Sequence, residues 1–234
     1  MIKEAIEKIL CLADPVFALV NGKTYIRPPF VPAMTAFPEA IQINNLTGLV
    51  DYVRDVKIEV WNLFFAHVRD YNKVLLYSGM SGDFNQRPVV IESISRPCLF
   101  KFGHFMDIES FIIQLNAGFL QSAERDELVR FVSGVKFDNQ SRIEDNGVSQ
   151  TLKAKQGVSS LIKDIPVKNI VRLAPYRTFN EIGQPESEFL FRFSHNDGQP
   201  LCGLFEADGE AWKQSAIQSI KAHLKANLEI PVIA

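Results

Sequence analysis

The sequence predicts an α+β fold, with antiparallel sheets covered by short helices and with projecting β-hairpin arms. Short runs rich in β-branched and aromatic residues alternate with turn residues, which is typical of antiparallel strands. Amphipathic segments with helical spacing separate groups of these runs. The last third shows the pattern most clearly, because predicted strands at 165–176, 188–194 and 201–206 are followed at once by an amphipathic helix at 209–227.

Composition and charge narrow the class of protein. The chain has 234 residues, 47% hydrophobic and 22% charged, enough to bury a substantial core in one large domain or two small ones. A net charge of -2 leaves no general excess of lysine and arginine, so bulk charge does not favour nucleic acid or anionic lipid. Cys11, Cys98 and Cys202 lie far apart in apolar surroundings, which favours buried thiols in a reducing cytoplasm over disulfides.

The N-terminus lacks the pattern of a secretion signal. Residues 1–13 carry Glu4 and Glu7 among apolar residues, without a basic start followed by an uninterrupted apolar block. No other segment reaches the roughly 20 apolar residues that a membrane span needs. We therefore expect a cytoplasmic protein with no membrane partner.

The chain is predicted to begin with a short amphipathic helix. Ile2, Ile6 and Ile9 recur at helical spacing, while lysines and glutamates occupy the other side. The helix should end at Asp14, because the residue before a proline is disfavoured in the helical region.

A β-ribbon is predicted after this helix. Asn21-Gly22 is a strong hairpin signal, because both central positions of a type I′ turn need positive φ. The prolines within residues 28–38 then predict an extended connector. We therefore divide the chain into an N-terminal extension, residues 1–38, and an α+β main body, residues 39–234.

The main body is predicted to open with a short strand at residues 40–43, a helix and a strand meander. Asn45 is a suitable N-cap for the helix. One face of that helix should be buried, and it consists of Leu46, Leu49, Val50 and Val53. Three β-branched and aromatic runs follow, separated by turn residues, and predict antiparallel strands. These runs are residues 61–68, 73–78 and 88–95.

Two helices are predicted after the meander. Asp107 and Ser122 are suitable N-caps, and Gly118 and Gly134 mark the corresponding ends. Only about four residues join the two helices, so they should pack as neighbours. Their inward side chains are predicted to be Ile108, Phe111, Ile112 and Leu115 in the first helix, and Leu128, Val129 and Val132 in the second.

Residues 135–157 are predicted to form a long hairpin arm. Asp145-Asn146-Gly147 is turn chemistry between two runs whose apolar face is thin. Because a two-stranded ribbon is marginal in water, the arm should dock on the body or on a second copy of the chain. The candidate contacts for self-association are Val135, Phe137, Ile143, Val148 and Leu152 of the arm, with Phe17 and Tyr25 of the N-terminal ribbon.

Residues for common catalytic chemistry do not form recognisable motifs. The four histidines lie far apart, and none has a partner at the spacing of a zinc site. Ser81 lies between glycines but lacks the strand, turn and helix of a nucleophile elbow, and dinucleotide and P-loop motifs are absent. We therefore predict no metal and no cofactor, and an enzyme of unrecognised class is the last alternative.

Charged residues concentrate between positions 172 and 192. Carboxylates that converge in a cleft can divide acid and base roles, although charged pairs on a solvated sheet face are commoner. The carboxylates in question are Glu181, Glu186 and Glu188.

Basic and aromatic residues interleave in the same region, and such a pattern can stack bases and hold phosphates. However, Phe189, Phe191 and Phe193 share one strand face and are predicted to face the core. The candidate polar surface for a protein partner or for nucleic acid is therefore Arg172, Tyr176, Arg177 and Arg192.

The order of several segments resembles the YfdQ-like prophage proteins. The segments are residues 46–53 (LTGLVDYV), the central meander, the helices of 107–134, the hairpin turn at 145–147, Ile165-Pro166, residues 173–179 (LAPYRTF) and residues 185–189 (PESEF). The resemblance covers about residues 40–230, and the N-terminal portion departs from it. It implies a phage or prophage protein in a bacterial host cell, of a family without established catalytic residues.

Two non-enzymatic functions follow as hypotheses. In the first, the chain is a structural or interaction protein that self-associates through its arms, for example in a closed ring or shell. In the second, it is an accessory protein that assists phage recombination or counters host defence, and it binds nucleic acid or a nuclease. The expected partners are a second copy of the chain, a host or phage protein and, with less support from the charge, nucleic acid.

Overall fold

The computed structural model describes most of the chain. The described residues are 2–13, 17–26, 31–32, 37–55, 64–81, 84–96, 100–136, 142–145, 150–156, 162–196 and 199–234.

Helices and strands occur together throughout the described residues, which confirms the α+β prediction. The helices are α1 (Ile2–Ala13), α2 (Leu46–Asp55), α3 (Ile108–Gly118), α4 (Ala123–Gly134) and α5 (Ala211–Asn227). The strands before α3 are β1 (Phe17–Val20), β2 (Lys23–Ile26), β3 (Val31–Pro32), β4 (Ile41–Ile43), β5 (Phe65–Asp70), β6 (Lys73–Tyr77), β7 (Val89–Ile94) and β8 (Met106–Asp107). The later strands are β9 (Val135–Lys136), β10 (Arg142–Asp145), β11 (Gln150–Gln156), β12 (Ile162–Pro166), β13 (Ile170–Leu173), β14 (Ser187–Asn196), β15 (Gln199–Glu206) and β16 (Val232–Ile233).

These strands form four sheets. The N-terminal ribbon has the order β1-β2-β3, and the arm sheet has the order β10-β11-β12 with β9 also paired to β11. The C-terminal sheet, which is antiparallel, has the order β13-β14-β15-β8. The mixed sheet has the order β16-β5-β6-β7-β4.

The mixed sheet contains the predicted meander and two parallel edge strands. β5, β6 and β7 pair antiparallel, as the sequence indicates. β4 pairs parallel to β7, and β16 pairs parallel to β5. A parallel pair needs a long crossover connection, so neither edge follows from the local strand pattern.

Helices α2 and α5 pack against the mixed sheet. The four apolar side chains predicted to face inward from α2 are all buried. Asn45 Oδ1 accepts a hydrogen bond from the Gly48 amide at 2.7 Å, which confirms the predicted N-cap. Ile220 and Leu224 of α5 are buried in the same core.

The C-terminal sheet has its own core, formed with α3 and α4. Phe189, Phe191 and Phe193 all face this core, as their period of two predicts. Asp107 accepts a hydrogen bond from the Ser110 amide at 2.8 Å, and Ser122 accepts one from the Arg125 amide at 3.1 Å. Both predicted N-caps are therefore confirmed.

The strand predicted at residues 165–176 is wrong as one element. β12 ends at Pro166 and belongs to the arm sheet, whereas β13 begins at Ile170 and belongs to the C-terminal sheet. The Val167 amide donates to the Gln150 carbonyl at 3.0 Å, and the Asn169 carbonyl accepts from the Phe191 amide at 2.8 Å. The chain therefore changes sheets within an apolar run that looks continuous.

The loop after β13 joins the two cores. Phe179 and Ile182 are buried in the core of the mixed sheet. Thr178 Oγ1 donates to the Tyr71 carbonyl at 2.5 Å, in the turn between β5 and β6. This connection places the polar residues of the loop between the two sheets.

The N-terminal ribbon has the predicted turn. Asn21 and Gly22 have φ values of 52° and 76°, as a type I′ turn requires. Part of the predicted proline connector also pairs, because β3 adds a third strand beside β2. The rest of residues 27–36 lies outside the described residues.

Candidate interaction site

The loop between β13 and β14 holds a buried arginine. Arg177 is 4% exposed, and its guanidinium lies 3.1 Å from Glu206 Oε1. The same guanidinium donates to Ser187 Oγ, and Ser187 Oγ donates to Asp208. The guanidinium carbon lies 3.9 Å from the ring centroid of Trp212, within cation–π range. Arg177 therefore links β14, β15 and the start of α5.

Gln184 fixes the backbone that carries this arginine. Its Oε1 accepts from the amides of Arg177 at 3.0 Å and Thr178 at 3.2 Å. Its Nε2 donates to the Phe179 carbonyl at 2.9 Å. Since Gln184 is itself buried, one amide side chain satisfies backbone groups that the loop leaves unpaired.

A cleft of about 320 Å³ opens beside this network. Within it, Arg172 and Glu188 pair at 2.7 Å, and this hydrogen-bonded pairing raises the pKa of Arg172. Ser187 is buried between two charged partners, so its hydroxyl is a structural bridge and not an exposed nucleophile. The cleft is lined by Arg172, Glu186, Ser187, Glu188, Asp208, Ala211, Trp212 and Ser215.

The structure brings together only part of the predicted charge cluster. Glu186 and Glu188 both line the cleft. Glu181 lies elsewhere and accepts from the Leu46 amide at 2.6 Å, so it helps to cap α2. Two of the three carboxylates therefore share the cleft, and Glu188 forms there the kind of exposed charged pair that the sequence favours, whereas Glu181 is taken by a helix N-terminus.

The four residues predicted as a polar surface also separate. Arg177 is buried, so its inclusion in that surface is wrong. Arg172 and Tyr176 are exposed. Arg192 donates to Asn169 Oδ1 at 3.1 Å. All three arginines are therefore engaged in local contacts, Arg177 in the buried network and Arg172 and Arg192 with acceptors beside the sheet.

The predicted hairpin arm makes more structural contacts than an isolated two-stranded ribbon would. β10 and β11 pair antiparallel as expected, but β12 pairs along the other edge of β11. Gln150 anchors the arm sheet to the C-terminal sheet, because its side chain donates to the Phe193 carbonyl at 3.2 Å and accepts from the Phe193 amide at 2.9 Å. The arm is therefore more than the predicted two-stranded hairpin, and its contacts favour docking on the body, one of the two alternatives that the sequence left open.

The candidate contacts in the arm have different outcomes. Ile143 packs against the core of the C-terminal sheet of its own chain. Phe137 and Val148 lie outside the described residues. Val135 of β9 pairs with Gln156 of β11, and Leu152 of β11 pairs with Ile143 of β10.

The N-terminal ribbon rests on the loop between β6 and β7. The Tyr25 and Phe84 rings make an edge contact with centroids 5.4 Å apart. Lys23 Nζ lies 5.4 Å from the centroid of the same Phe84 ring. Tyr25 thus has a contact within its own chain, and Phe17 pairs with Ile26 across the ribbon.

Helix α1 presents an apolar face to solvent. Ile2, Ile6 and Ile9 are 79%, 51% and 63% exposed, although they form one face of an amphipathic helix. Each of the other helices buries an apolar face in one of the two cores, although Ile113 of α3 is also exposed. This exposed face is called the isoleucine face below.

A second exposed apolar surface lies on the C-terminal sheet, opposite α3 and α4. Ile170 and Leu190 are cross-strand partners, as are Leu190 and Phe205. The ring of Phe105, which directly precedes β8, lies 5.3 Å from that of Phe205. These four side chains, called the outer row below, cross all four strands.

The Cys202 thiol and the possible metal ligands bear on reactivity among the described residues. Cys202 is buried, and burial raises the pKa of its thiol far above the usual range, so it stays protonated and unreactive. Among the described residues, histidine, cysteine and acidic side chains form no group of three that could hold a metal ion. No helix within the described ranges has the length and apolar character needed to cross a membrane.

Sequence reasoning missed the partners of Arg177 and the composition of the outer row. Glu206 and Trp212 lie some 30 residues along the chain from Arg177, and no spacing rule joins them to it. No pattern singles out Phe105, because it stands alone before a helix cap. The period of two in β14 does place Leu190 opposite the core, and that signal identifies the exposed face of the sheet.

Comparisons with family models, with curated proteins and with solved structures find no match to this chain.

Proposed function

We propose that this chain is a non-enzymatic interaction protein that associates with copies of itself through α1. The observation that supports the proposal is the isoleucine face, which is exposed in the single chain. Large apolar side chains aligned on one surface are typical of protein contacts.

The length of α1 adds to this argument. Isolated helices of about 12 residues are marginal in water, and most helical stability in proteins comes from packing of the apolar face. α1 has 12 residues and leaves Ile2, Ile6 and Ile9 without cover in the chain. A protein surface that covers these side chains would stabilise the helix.

The N-terminal helix supports the proposal better than the hairpin arm does. The arm sheet already has its third strand and its anchor at Gln150. The symmetry of the assembly depends on the contact: a reciprocal contact gives a dimer, and a head-to-tail contact gives a ring or a shell where the rotation closes. We also propose that the chain belongs to the YfdQ-like prophage proteins. Self-association through α1 does not depend on this membership.

Nucleic-acid binding is a second candidate function. Phe105 and Phe205 lie on an exposed face of the C-terminal sheet. Arg192 lies two residues along β14 from Leu190, the cross-strand partner of Phe205. Sheet surfaces that carry aromatic and basic side chains can stack unpaired bases. The net charge of -2 opposes this function, because phosphate contacts supply most of the affinity. We therefore place it second.

The molar mass of the full chain as a function of protein concentration tests the proposal. By light scattering, we expect a mass that rises above the 26.4 kDa of one chain as the concentration increases. Since the contact is apolar, raising the salt concentration should not weaken the association. A constant mass of 26.4 kDa at every concentration would contradict self-association.

A further inference from the structure

We infer that the isoleucine face of α1 from one copy packs on the outer row of a second copy. This inference rests on the proposed self-association and names the surface that receives the helix. The two surfaces belong to the same chain, and both are exposed in it.

The outer row has the properties of a docking surface. Its ends, Ile170 and Phe105, are 52% and 43% exposed, and Leu190 and Phe205 between them are partly exposed. The Phe105 ring packs against the ring of Phe205 and approaches Gly203, where an added Cβ would come within 2.6 Å of the His104 carbonyl oxygen. Neighbouring side chains of the row therefore contact or pair with one another across the strands.

Among the described residues, helices cover one face of the C-terminal sheet. α3 and α4 pack on the face that carries Phe189, Phe191 and Phe193. Sheets with apolar residues on a face are stabilised when a second layer covers that face. The outer row lacks such a layer in the single chain, and an amphipathic helix is the element that commonly supplies it.

The dimensions of the two surfaces agree. From Ile2 to Ile9 the helix rises roughly 10 Å, at about 1.5 Å per residue. Four neighbouring strands span roughly 14 Å, at about 4.8 Å between strands. All three isoleucines can therefore contact the outer row at once.

A reciprocal arrangement gives enough contact area for a stable pair. A specific interface buries at least about 1,200 Å², so each of two symmetric helix–sheet contacts must bury about 600 Å². Only the exposed parts of the side chains count: 79%, 51% and 63% of Ile2, Ile6 and Ile9, and 52% and 43% of Ile170 and Phe105. At roughly 150–250 Å² for a fully exposed large side chain, these parts amount to about 400–700 Å² for each contact. The surface available is of the required size.

The occupant we infer is a second copy and not the chain's own helix. The ribbon that follows α1 is held on Phe84, in the loop between β6 and β7, and with this placement α1 leaves Ile2, Ile6 and Ile9 in solvent. The low net charge gives two copies little long-range repulsion.

The test compares a substitution in the outer row with a matched one outside it. Ile170→Lys should weaken self-association at least tenfold, measured by sedimentation equilibrium of the full chain. Ile113→Lys is the control, because Ile113 is also an exposed isoleucine, at 60%, but lies on α3 away from the row. The control should associate like the wild type.

Mixing two variants makes the test specific. Ile6→Glu damages the helix surface and Ile170→Lys damages the sheet surface, so each variant alone should associate more weakly than the wild type. An equimolar mixture retains one intact contact, between α1 of the Ile170→Lys chain and the row of the Ile6→Glu chain. The mixture should therefore associate more strongly than either variant.

Three outcomes would overturn the inference. If Ile6→Glu is monomeric and Ile170→Lys associates normally, self-association stands and the receiving surface is wrong. If the wild type is monomeric, the proposed function fails as well. If Ile170→Lys keeps its association but loses binding to single-stranded oligothymidylate that the wild type shows, the outer row is a nucleic-acid surface.

Discussion

Arg177→Ala is expected to lower the free energy of unfolding by about 3 kcal/mol, which is roughly 6–12 °C in Tm for a chain of this size. Removing one partner of a buried ion pair leaves the other partner and its hydrogen-bonding groups poorly compensated. We expect the lower end of the usual range of about 3–5 kcal/mol, since the Glu206 side chain is 32% exposed and can reach water. Thermal unfolding measured by circular dichroism checks this prediction.

Two further variants show whether the effect comes from burial and stacking. Arg172→Ala removes an exposed guanidinium that also pairs with a glutamate, and we expect little change in Tm because exposed pairs contribute little. Arg177→Lys keeps the charge but loses the planar contact with Trp212, so its stability should lie between those of the wild type and Arg177→Ala. Equal Tm values for Arg177→Ala and Arg172→Ala would contradict this account of the network.

Ile6→Glu is expected to weaken self-association by roughly a hundredfold or more. Because Ile6 is 51% exposed, covering it contributes about half of the roughly 1.5–3 kcal/mol of a fully buried isoleucine, and the loss counts twice in a reciprocal dimer. Desolvation of the new carboxylate adds a further penalty. Stability of the folded monomer should not change, because Ile6 is 51% exposed in the single chain. Glutamate is a good helix former, so the variant tests the apolar contact and not the propensity of α1.

Lys8→Glu is the matched control for this variant. It introduces the same residue into the same helix, on the polar side. We expect its sedimentation behaviour to match that of the wild type. If both variants lose association equally, the added negative charge is the cause and the isoleucine face is not the contact.

Local features of the fold could be predicted from the sequence. Asn45, Asp107 and Ser122 act within three residues of their own positions, so a short pattern contains all the information for each cap. The Asn21-Gly22 turn has the same property. The core-facing row of phenylalanines in β14 follows from the two-residue period of one strand.

Long-range arrangements could not be predicted in the same way. The pairing of β16 with β5 and the ion pair of Arg177 with Glu206 join positions that no local period relates. The change of sheet between Pro166 and Ile170 is set by hydrogen bonds to Gln150 and Phe191, which a run of apolar residues does not reveal. The exposure of the isoleucine face is likewise a property of packing, since its pattern alone predicts a covered helix.

Hydrogen–deuterium exchange of α1 at several protein concentrations tests the central claim most directly. The account predicts that the amides of Ile2–Ala13 are protected at high concentration and lose protection on dilution, while those of Ala211–Asn227 in α5 stay protected throughout. Exchange of α1 that is the same at every concentration, whether fast or slow, would contradict the claim that a second copy covers this helix.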